Sequence, residues 1–132
     1  MSCKQEIVPA DIQKINGYWE IVRVDIPDLE HKEYRMNEVF DYFEIKNNSG
    51  FRKKVMPQLD GTFLANDVSE NVSVVFKDKK TFLKFKTQFT TWQEELTELR
   101  DSTMVLVNDK KIVYKYKKTG PINILNDGKT SK

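Results

Sequence analysis

The chain contains very few of the residues that cross-link a small fold through disulfides or bind a metal. Its 132 residues include one cysteine, Cys3, and one histidine, His31. A single cysteine excludes an internal disulfide, so the fold depends on its apolar core. His31 lies between Glu30 and Lys32 without a companion at metal-ligand spacing, and we expect it to be a solvated loop residue. No apolar run approaches the roughly 20 residues that a spanning helix needs.

Patterns that carry catalysis are also missing. The five glycines are scattered, so no glycine-rich phosphate loop is present. Glu94 and Glu95 are adjacent, and in a strand adjacent side chains point to opposite faces, so they cannot work as an acid–base pair. Cys3 has no neighbouring base that would make it a nucleophile. We therefore predict that the protein is not an enzyme and uses no metal and no cofactor.

The charge balance gives no indication of nucleic-acid binding. The formal net charge is only +2, which is too small to favour a polyanionic partner. Aromatic residues and lysines alternate over 82–86, which places the aromatic rings on mixed faces of a strand instead of on one stacking platform. We expect no nucleic-acid partner.

Aromatic residues are abundant, with eight Phe, five Tyr and two Trp, and this enrichment favours strands. The length suits one domain, and 39% hydrophobic with 32% charged residues is a globular balance. We predict an N-terminal tether over 1–8, one domain over 9–118, and a partly disordered tail over 119–132, where Gly, Pro, Asn, Asp, Lys and Ser dominate.

The domain is predicted to be all-β apart from one short N-terminal helix. Pro9 suits a first helical turn, Ile12 and Ile15 share a face that would plug a barrel end, and Gly17 can end the helix. Alternating patterns predict strands at 17–26, 38–46, 51–56, 62–65, 71–76, 81–89, 91–99, 103–107 and 111–117, with a further short strand at 122–125.

Turn signals separate these strands, with a hairpin at Asp60-Gly61 and a polar turn at Asn66-Asp67. Strands at spacings of about ten residues with short links are typical of sequential antiparallel hairpins. They favour an antiparallel up-and-down β-barrel of about eight strands, because a two-sheet sandwich would need longer crossovers.

Two stretches carry a family resemblance. A short helix followed by Gly17-x-Trp19 resembles the lipocalin and fatty-acid-binding superfamily. Residues 96–106, followed by Tyr114-Lys115-Tyr116, are similar to bacterial lipocalin-like domains that often occur as small lipoproteins. The resemblance covers about 9–118 and implies that the tryptophan packs across the closed end of the barrel.

The resemblance has limits that bear on the ligand. The Thr-Asp-Tyr loop motif of animal lipocalins is absent, and so is the Arg-x-Tyr pair with which fatty-acid-binding proteins grip carboxylates. The chain also has no room for the helix-turn-helix lid of those proteins. Fatty-acid binding is therefore not implied for this chain.

One face of every strand must line the barrel. The predicted lining is Trp19, Ile21, Phe43, Phe63, Val74, Phe85, Met104, Leu106, Tyr114 and Tyr116. These large side chains either line a ligand cavity or fill the barrel as a packed core. Arg23 and Asp25, on the Trp19 face, and Asp41, on the Phe43 face, are the candidate polar members of a site. The alternative is that these charged residues sit at the rim of the barrel, where they are solvated.

By family resemblance, we expect a non-catalytic envelope protein that binds a small hydrophobic or amphipathic ligand in the barrel. The alternative is an anchored protein–protein interaction subunit of a cell-envelope assembly, with a filled barrel and no small ligand. In that case an exposed aromatic patch would mark the docking surface. Its candidates are Tyr18, Phe40, Tyr42 and Phe51.

Cys3 followed by a hydrophilic stretch is typical of a bacterial lipoprotein after removal of its signal peptide. On this hypothesis a lipid on Cys3 attaches the protein to a periplasmic or outer-membrane surface; the alternative is an incidental free thiol.

Four lysines suggest a second surface. Lys84, Lys86, Lys115 and Lys117 would form a basic wall for an acidic partner or lipid head groups if their strands were neighbours. The alternative is a solubilising exterior.

Overall fold

The protein is a closed antiparallel barrel with a short helix at one end. The computed structural model describes residues 6–27, 32–33, 40–57 and 63–119, without the side chains of 32–33, 57 and 63–68. The elements in chain order are a 3-10 helix, Pro9–Ile15, and the strands β1 (Gly17–Asp25), β2 (Lys32–Glu33), β3 (Phe40–Lys46), β4 (Ser49–Pro57), β5 (Phe63–Lys77), β6 (Lys80–Lys86), β7 (Thr91–Leu99), β8 (Thr103–Val107) and β9 (Val113–Thr119). No helix in these ranges is long and apolar enough to cross a membrane.

The barrel closes by pairing its first and last strands. From β3 to β9 each strand pairs with its neighbour in sequence, β3 pairs with β1, and β1 also pairs with β9. Eight strands thus form the wall, and β2 adds two residues that pair with Arg23 and Val24 of β1. The predicted up-and-down barrel of about eight strands with a short N-terminal helix is confirmed.

Two strand predictions were wrong in detail. Residues 62–65 and 71–76 were expected to be separate strands, but β5 runs unbroken from 63 to 77 through Asn66-Asp67. Its partner β4 has a register shift between Lys53 and Val55, and such a bulge lets a long strand keep pairing as the sheet curves. β6 was expected to reach residue 89 but ends at Lys86. A turn follows, in which the Thr87 hydroxyl accepts hydrogen bonds from the backbone N–H groups of Phe89 and Thr90.

Several predictions fall on residues outside the described ranges. These are the tether over 1–5 with Cys3, His31, the hairpin signal Asp60-Gly61, and the tail from 120 onward with its expected strand.

The helix seals one end of the barrel, here called the floor. Ile12 and Ile15 are buried, and Trp19 is fully buried above them with its Nε1 donating to the Ile15 carbonyl at 2.7 Å. Gly17, the first residue of β1, has φ +126°, a conformation that glycine adopts readily and that is strained for other residues. Lys118 Nζ donates to the Lys14 carbonyl at 2.8 Å. The floor therefore has the architecture expected from Gly17-x-Trp19.

The lower interior is a packed apolar core. Its fully buried strand residues are Trp19, Phe43, Val72, Leu83, Phe85, Leu96, Leu99, Met104 and Leu106. They come from six strands, and cross-strand partners such as Leu96 and Leu106 share the inner face. This part of the barrel is filled by side chains.

A bulge in β1 changes which residues face inward. Ile21 pairs with Tyr116, but the register shifts before Arg23, so that Val24 pairs with Tyr114 and Arg23 pairs with the exposed Lys115. Cross-strand partners share a face, so Arg23 lies outside the barrel.

The prediction that Arg23 and Asp25 share the Trp19 face was therefore wrong. They form an ion pair on the outside, with Arg23 Nε 2.8 Å from Asp25 Oδ1. Strict alternation does not count the extra residue of a bulge.

Candidate ligand site in the barrel interior

The interior differs between its two ends. Near the floor the large inward side chains have no exposed surface. Towards the opposite end, the mouth, Ile21, Trp92 and Tyr114 also face inward but are only partly buried. The inward side chains of Glu70 and Lys54 are 23% and 50% exposed. Burial of the inward side chains therefore decreases from the floor to the mouth, and we call the less buried region near the mouth the accessible part.

Among the residues whose side chains the structure describes, five charged side chains face inward from four strands above the floor, and we call them the inner charged cluster. They are Asp41 on β3, Arg52 and Lys54 on β4, Glu70 on β5 and Glu94 on β7. Their placement follows from register, because Asp41 is opposite Lys54, Arg52 is opposite Glu70, and Glu94 is opposite the buried Leu83.

Four members of the inner charged cluster form two ion pairs. Lys54 Nζ lies 2.6 Å from Asp41 Oδ1, and Arg52 Nε donates to Glu70 Oε1 at 2.5 Å. Asp41 is 3% exposed and Arg52 is 8% exposed, so each needs its partner to offset lost hydration. Pairing of buried charges explains how both remain inside the barrel.

Arg52 also lies against two aromatic rings of the buried core. Its Cζ lies 4.3 Å from the Phe85 ring centroid and 5.8 Å from that of Phe43. Burial by itself lowers the pKa of Arg52, but the hydrogen bond to Glu70 and the charge of Asp41 outweigh burial and raise it. Arg52 is therefore a fixed positive charge in the interior.

Glu94 is the one member of the inner charged cluster without an ion-pair partner among the described side chains. It is 9% exposed, and its Oε2 accepts a hydrogen bond from Trp92 Nε1 at 3.1 Å. Its buried Oε1 has no hydrogen-bond partner among the described residues. Burial raises the pKa of the Glu94 carboxyl, and the charge of Arg52 opposes this only in part.

Aromatic side chains complete the walls around these charges. Trp92 stacks on Phe85 with ring centroids 5.3 Å apart and planes at 19°. Tyr116 is 4% exposed, and burial raises its pKa, with a further contribution from the charge of Asp41, so its hydroxyl stays neutral. Aromatic walls with a few inward polar groups are the usual composition of a small-molecule site.

The structure divides the predicted lining residues into two groups. Trp19, Phe43, Phe85, Met104 and Leu106 are fully buried in the filled part, and Val74 and Tyr116 are nearly so. Ile21 and Tyr114 lie in the accessible part. The side chain of Phe63 is outside the described set. Whether any of them binds a ligand stays a prediction.

Of the inner charged cluster, only Asp41 was predicted from the sequence. Arg52 and Lys54 were not singled out from the sequence, although they alternate with Gly50 along one face of β4. Glu94 was dismissed as half of an adjacent acidic pair, although Trp92, Glu94 and Leu96 alternate on one face. Alternation in 92–96 was the signal that would have placed Glu94 inside. The described residues contain no group of three or more His, Cys, Asp or Glu side chains placed to hold a metal ion.

The predicted basic wall does not form. Lys84, Lys86, Lys115 and Lys117 are all exposed, but the first two are on β6 and the last two on β9. Strands β7 and β8 lie between them, so these lysines make two separate pairs.

The other expected surface is partly present. Tyr18 and Tyr42 have ring centroids 4.7 Å apart, and Tyr42 and Phe51 6.1 Å apart, on the outer face of β1, β3 and β4. We call these three residues the outer aromatic strip. Phe40 is 8% exposed and does not contribute.

Comparison with known proteins gives the family. The sequence profile of a lipocalin-like domain matches residues 15–106, which is more than half of the chain. The chain belongs to the lipocalin-like domain family. No curated protein matches this lipocalin-like domain significantly.

Two solved structures share its fold. A lipocalin-like protein from Bacteroides uniformis ATCC 8492 is 11% identical, with a TM-score of 0.50, over 80% of this chain and 99% of that one. An uncharacterized protein from Bacteroides eggerthii DSM 20697 is 13% identical, with a TM-score of 0.51, over 79% of this chain and 98% of that one. At these identities the likeness concerns the fold of the lipocalin-like domain alone.

Proposed function

We propose that this lipocalin-like domain is a non-catalytic binding protein that holds a small amphipathic molecule in the accessible part of its barrel. One observation carries the proposal: inward side chains at the mouth keep exposed surface, whereas those at the floor have none. Protein interiors are normally close-packed, so an accessible interior lined by aromatic and charged groups is typical of a ligand site.

The placement of the two tryptophans provides a direct assay. Trp19 is fully buried at the floor, whereas Trp92 is partly buried in the accessible part. A ligand entering from the mouth changes the surroundings of Trp92 and leaves those of Trp19 unchanged. We therefore expect a saturable change in tryptophan fluorescence during titration with amphipathic molecules.

The matched control is Trp92→Phe, which keeps an aromatic ring against Phe85 and removes the reporter. We expect this variant to lose the fluorescence change while still gaining thermal stability with the same ligand, because a ligand that binds only the folded state stabilises it. A broad panel that produces neither fluorescence change nor thermal stabilisation, with no small molecule co-purifying from native cells, would contradict the proposal.

A second candidate function is docking of a protein partner on the outer aromatic strip. The supporting observation is that Tyr18, Tyr42 and Phe51 form a continuous aromatic row on the outside of the sheet. Site-specific crosslinkers at 42 and, as a control, at the exposed Gln93 would test this in native cells. A specific adduct from position 42 alone supports docking, and equal labelling from both positions contradicts it.

Attachment to the cell envelope through a lipid on Cys3 stays a proposal that depends on the N-terminal sequence. Labelling with a fatty-acid probe would test it in cells that produce the protein or its Cys3→Ala variant. Label only on the protein with Cys3 supports the anchor, and equal labelling of both contradicts it.

A further inference from the structure

The inner charged cluster contains one more acidic group than basic groups. Asp41 is paired with Lys54, and Glu70 is paired with Arg52. Glu94 is left without a cation, and its Oε1 is buried without a hydrogen-bond donor among the described residues. A buried carboxylate oxygen without a donor is costly, so a native interior rarely leaves one.

We propose that the ligand of this barrel carries a primary ammonium head, which donates a hydrogen bond to Glu94 Oε1 and forms the third ion pair of the interior. This inference rests on the proposed function and adds the chemical class of the ligand. The ligand is then a cationic amphiphile, with its head at the inner charged cluster and its apolar part towards the mouth.

The position of Arg52 argues against a carboxylate head. Arg52 is the one deeply buried cation of the cluster, and it donates to Glu70 while lying against Phe85 and Phe43. An incoming carboxylate would meet the negative charges of Asp41, Glu70 and Glu94, which already surround Arg52. An ammonium neutralises the excess negative charge instead.

The aromatic surroundings also favour a cation. Trp92 lies beside Glu94, because its Nε1 donates to Glu94 Oε2, and its ring stacks on Phe85. Tyr114 faces the same accessible interior from β9. Ammonium groups bind favourably over the faces of Trp and Tyr, particularly where water is excluded. A charged carboxylate with flanking aromatic rings is well suited to an alkylammonium head.

The test uses probes that share one chain and differ in the head: octylamine, octanol and octanoate, titrated into the full chain by calorimetry at neutral pH. We expect octylamine to bind at one site at least about tenfold more tightly than octanol, equivalent to about 1.4 kcal/mol. Octanoate is expected to bind most weakly. In Glu94→Gln, octylamine and octanol are expected to bind equally.

The neighbouring acid provides a matched control. Glu95 is opposite Phe82 on the outer face of the sheet, so Glu95→Gln removes the same charge from the other side of the strand. We expect Glu95→Gln to keep the full preference for octylamine. Loss of the preference in both variants would mean that overall charge governs binding, and it would overturn the inference.

A fourth probe keeps the test independent of any variant. Octyltrimethylammonium carries the positive charge but has no N–H, so it cannot donate to Glu94 Oε1. We expect it to bind the unaltered protein several-fold more weakly than octylamine. Equal binding of these two cations would overturn the inference.

The outcomes separate the inference from the proposed function. If none of the four probes binds, the ammonium head is contradicted, whereas the binding role is contradicted only if the broad panel also fails. If octanol or octanoate binds as tightly as octylamine, or Glu94→Gln keeps the amine preference, the barrel is a binding protein but its ligand is not an amine.

Discussion

At the scale of single residues, Trp19 is the largest fully buried side chain among the described residues. Its indole is fully buried, its Nε1 donates to the Ile15 carbonyl, and Lys118 Nζ lies 5.0 Å from its ring centroid. We expect Trp19→Ala to cost about 3–5 kcal/mol of unfolding free energy, because it leaves a cavity at the floor. Urea denaturation monitored by circular dichroism measures this cost.

A milder substitution separates packing from hydrogen bonding at the same site. Trp19→Phe keeps an aromatic ring but leaves the Ile15 carbonyl without its indole donor, so we expect an intermediate loss of stability. An Ala variant as stable as the parent would mean that the floor does not hold the barrel together.

Glu94 gives a prediction about pH. Burial raises its pKa in the folded state above the ordinary 4.5. At a pH between the unfolded-state pKa and the raised folded-state pKa, Glu94 is protonated in the folded protein but ionised in the unfolded chain. The free energy of unfolding therefore falls as pH rises through this window. Gln does not titrate, and Glu94→Gln should therefore gain stability relative to the parent as pH rises from about 4.5 towards neutrality.

Urea denaturation at a series of pH values tests this sign in the absence of ligand. Glu95→Gln is the control, since that side chain faces outward. A parent protein more stable than Glu94→Gln at neutral pH would show that the carboxylate is well solvated or paired in the folded state.

At the scale of elements, the β3–β4 hairpin depends on one glycine. Asn47 and Asn48 take positive φ values of 55° and 66° in its two-residue turn, a conformation that asparagine tolerates. A Cβ on Gly50 would lie 1.8 Å from the Glu44 carbonyl oxygen of the facing strand. The facing backbone cannot move aside without breaking the pairing of β3 with β4.

We therefore expect Gly50→Ala to cost upward of about 3 kcal/mol or to prevent folding. The exposed neighbour provides the comparison, because Ser49→Ala leaves the hairpin intact. Thermal unfolding of both variants measures the difference. Equal midpoints would indicate that the hairpin has a different register.

At the scale of the whole molecule, closure through β1 and β9 is the decisive feature. The seven partner pairs from Tyr18–Thr119 to Asp25–Val113 leave neither strand as a free edge. In a closed barrel the backbone hydrogen bonds of the wall strands break only when the whole domain unfolds. We therefore expect the backbone amides of residues 115–117 to exchange hydrogen as slowly as those of β5 and β6.

Native-state hydrogen exchange followed by mass spectrometry or NMR measures these rates. The two-residue strand β2 provides an internal contrast, because it pairs only with β1 and is expected to exchange faster. Rapid exchange confined to β9 would mean that the barrel opens at this seam in solution.

The sequence by itself determined the architecture. Alternating apolar residues, aromatic enrichment and turn residues predicted a barrel of about eight strands, and the family resemblance carried by Gly17-x-Trp19 implied that the tryptophan closes one end. These features are local, because strand period, turn chemistry and a glycine conformation are each encoded within a few neighbouring residues.

Only the tertiary structure decided what lies inside the barrel. The bulge in β1 moved Arg23 and Asp25 outward, and strand register brought Arg52, Lys54, Glu70 and Glu94 together with Asp41. A bulge depends on pairing with a strand about ninety residues away, and ion pairs across strands depend on register, neither of which a single strand specifies. The floor was thus predicted from the sequence, whereas the inward position of Glu94, without an ion-pair partner among the described residues, follows only from the closed barrel.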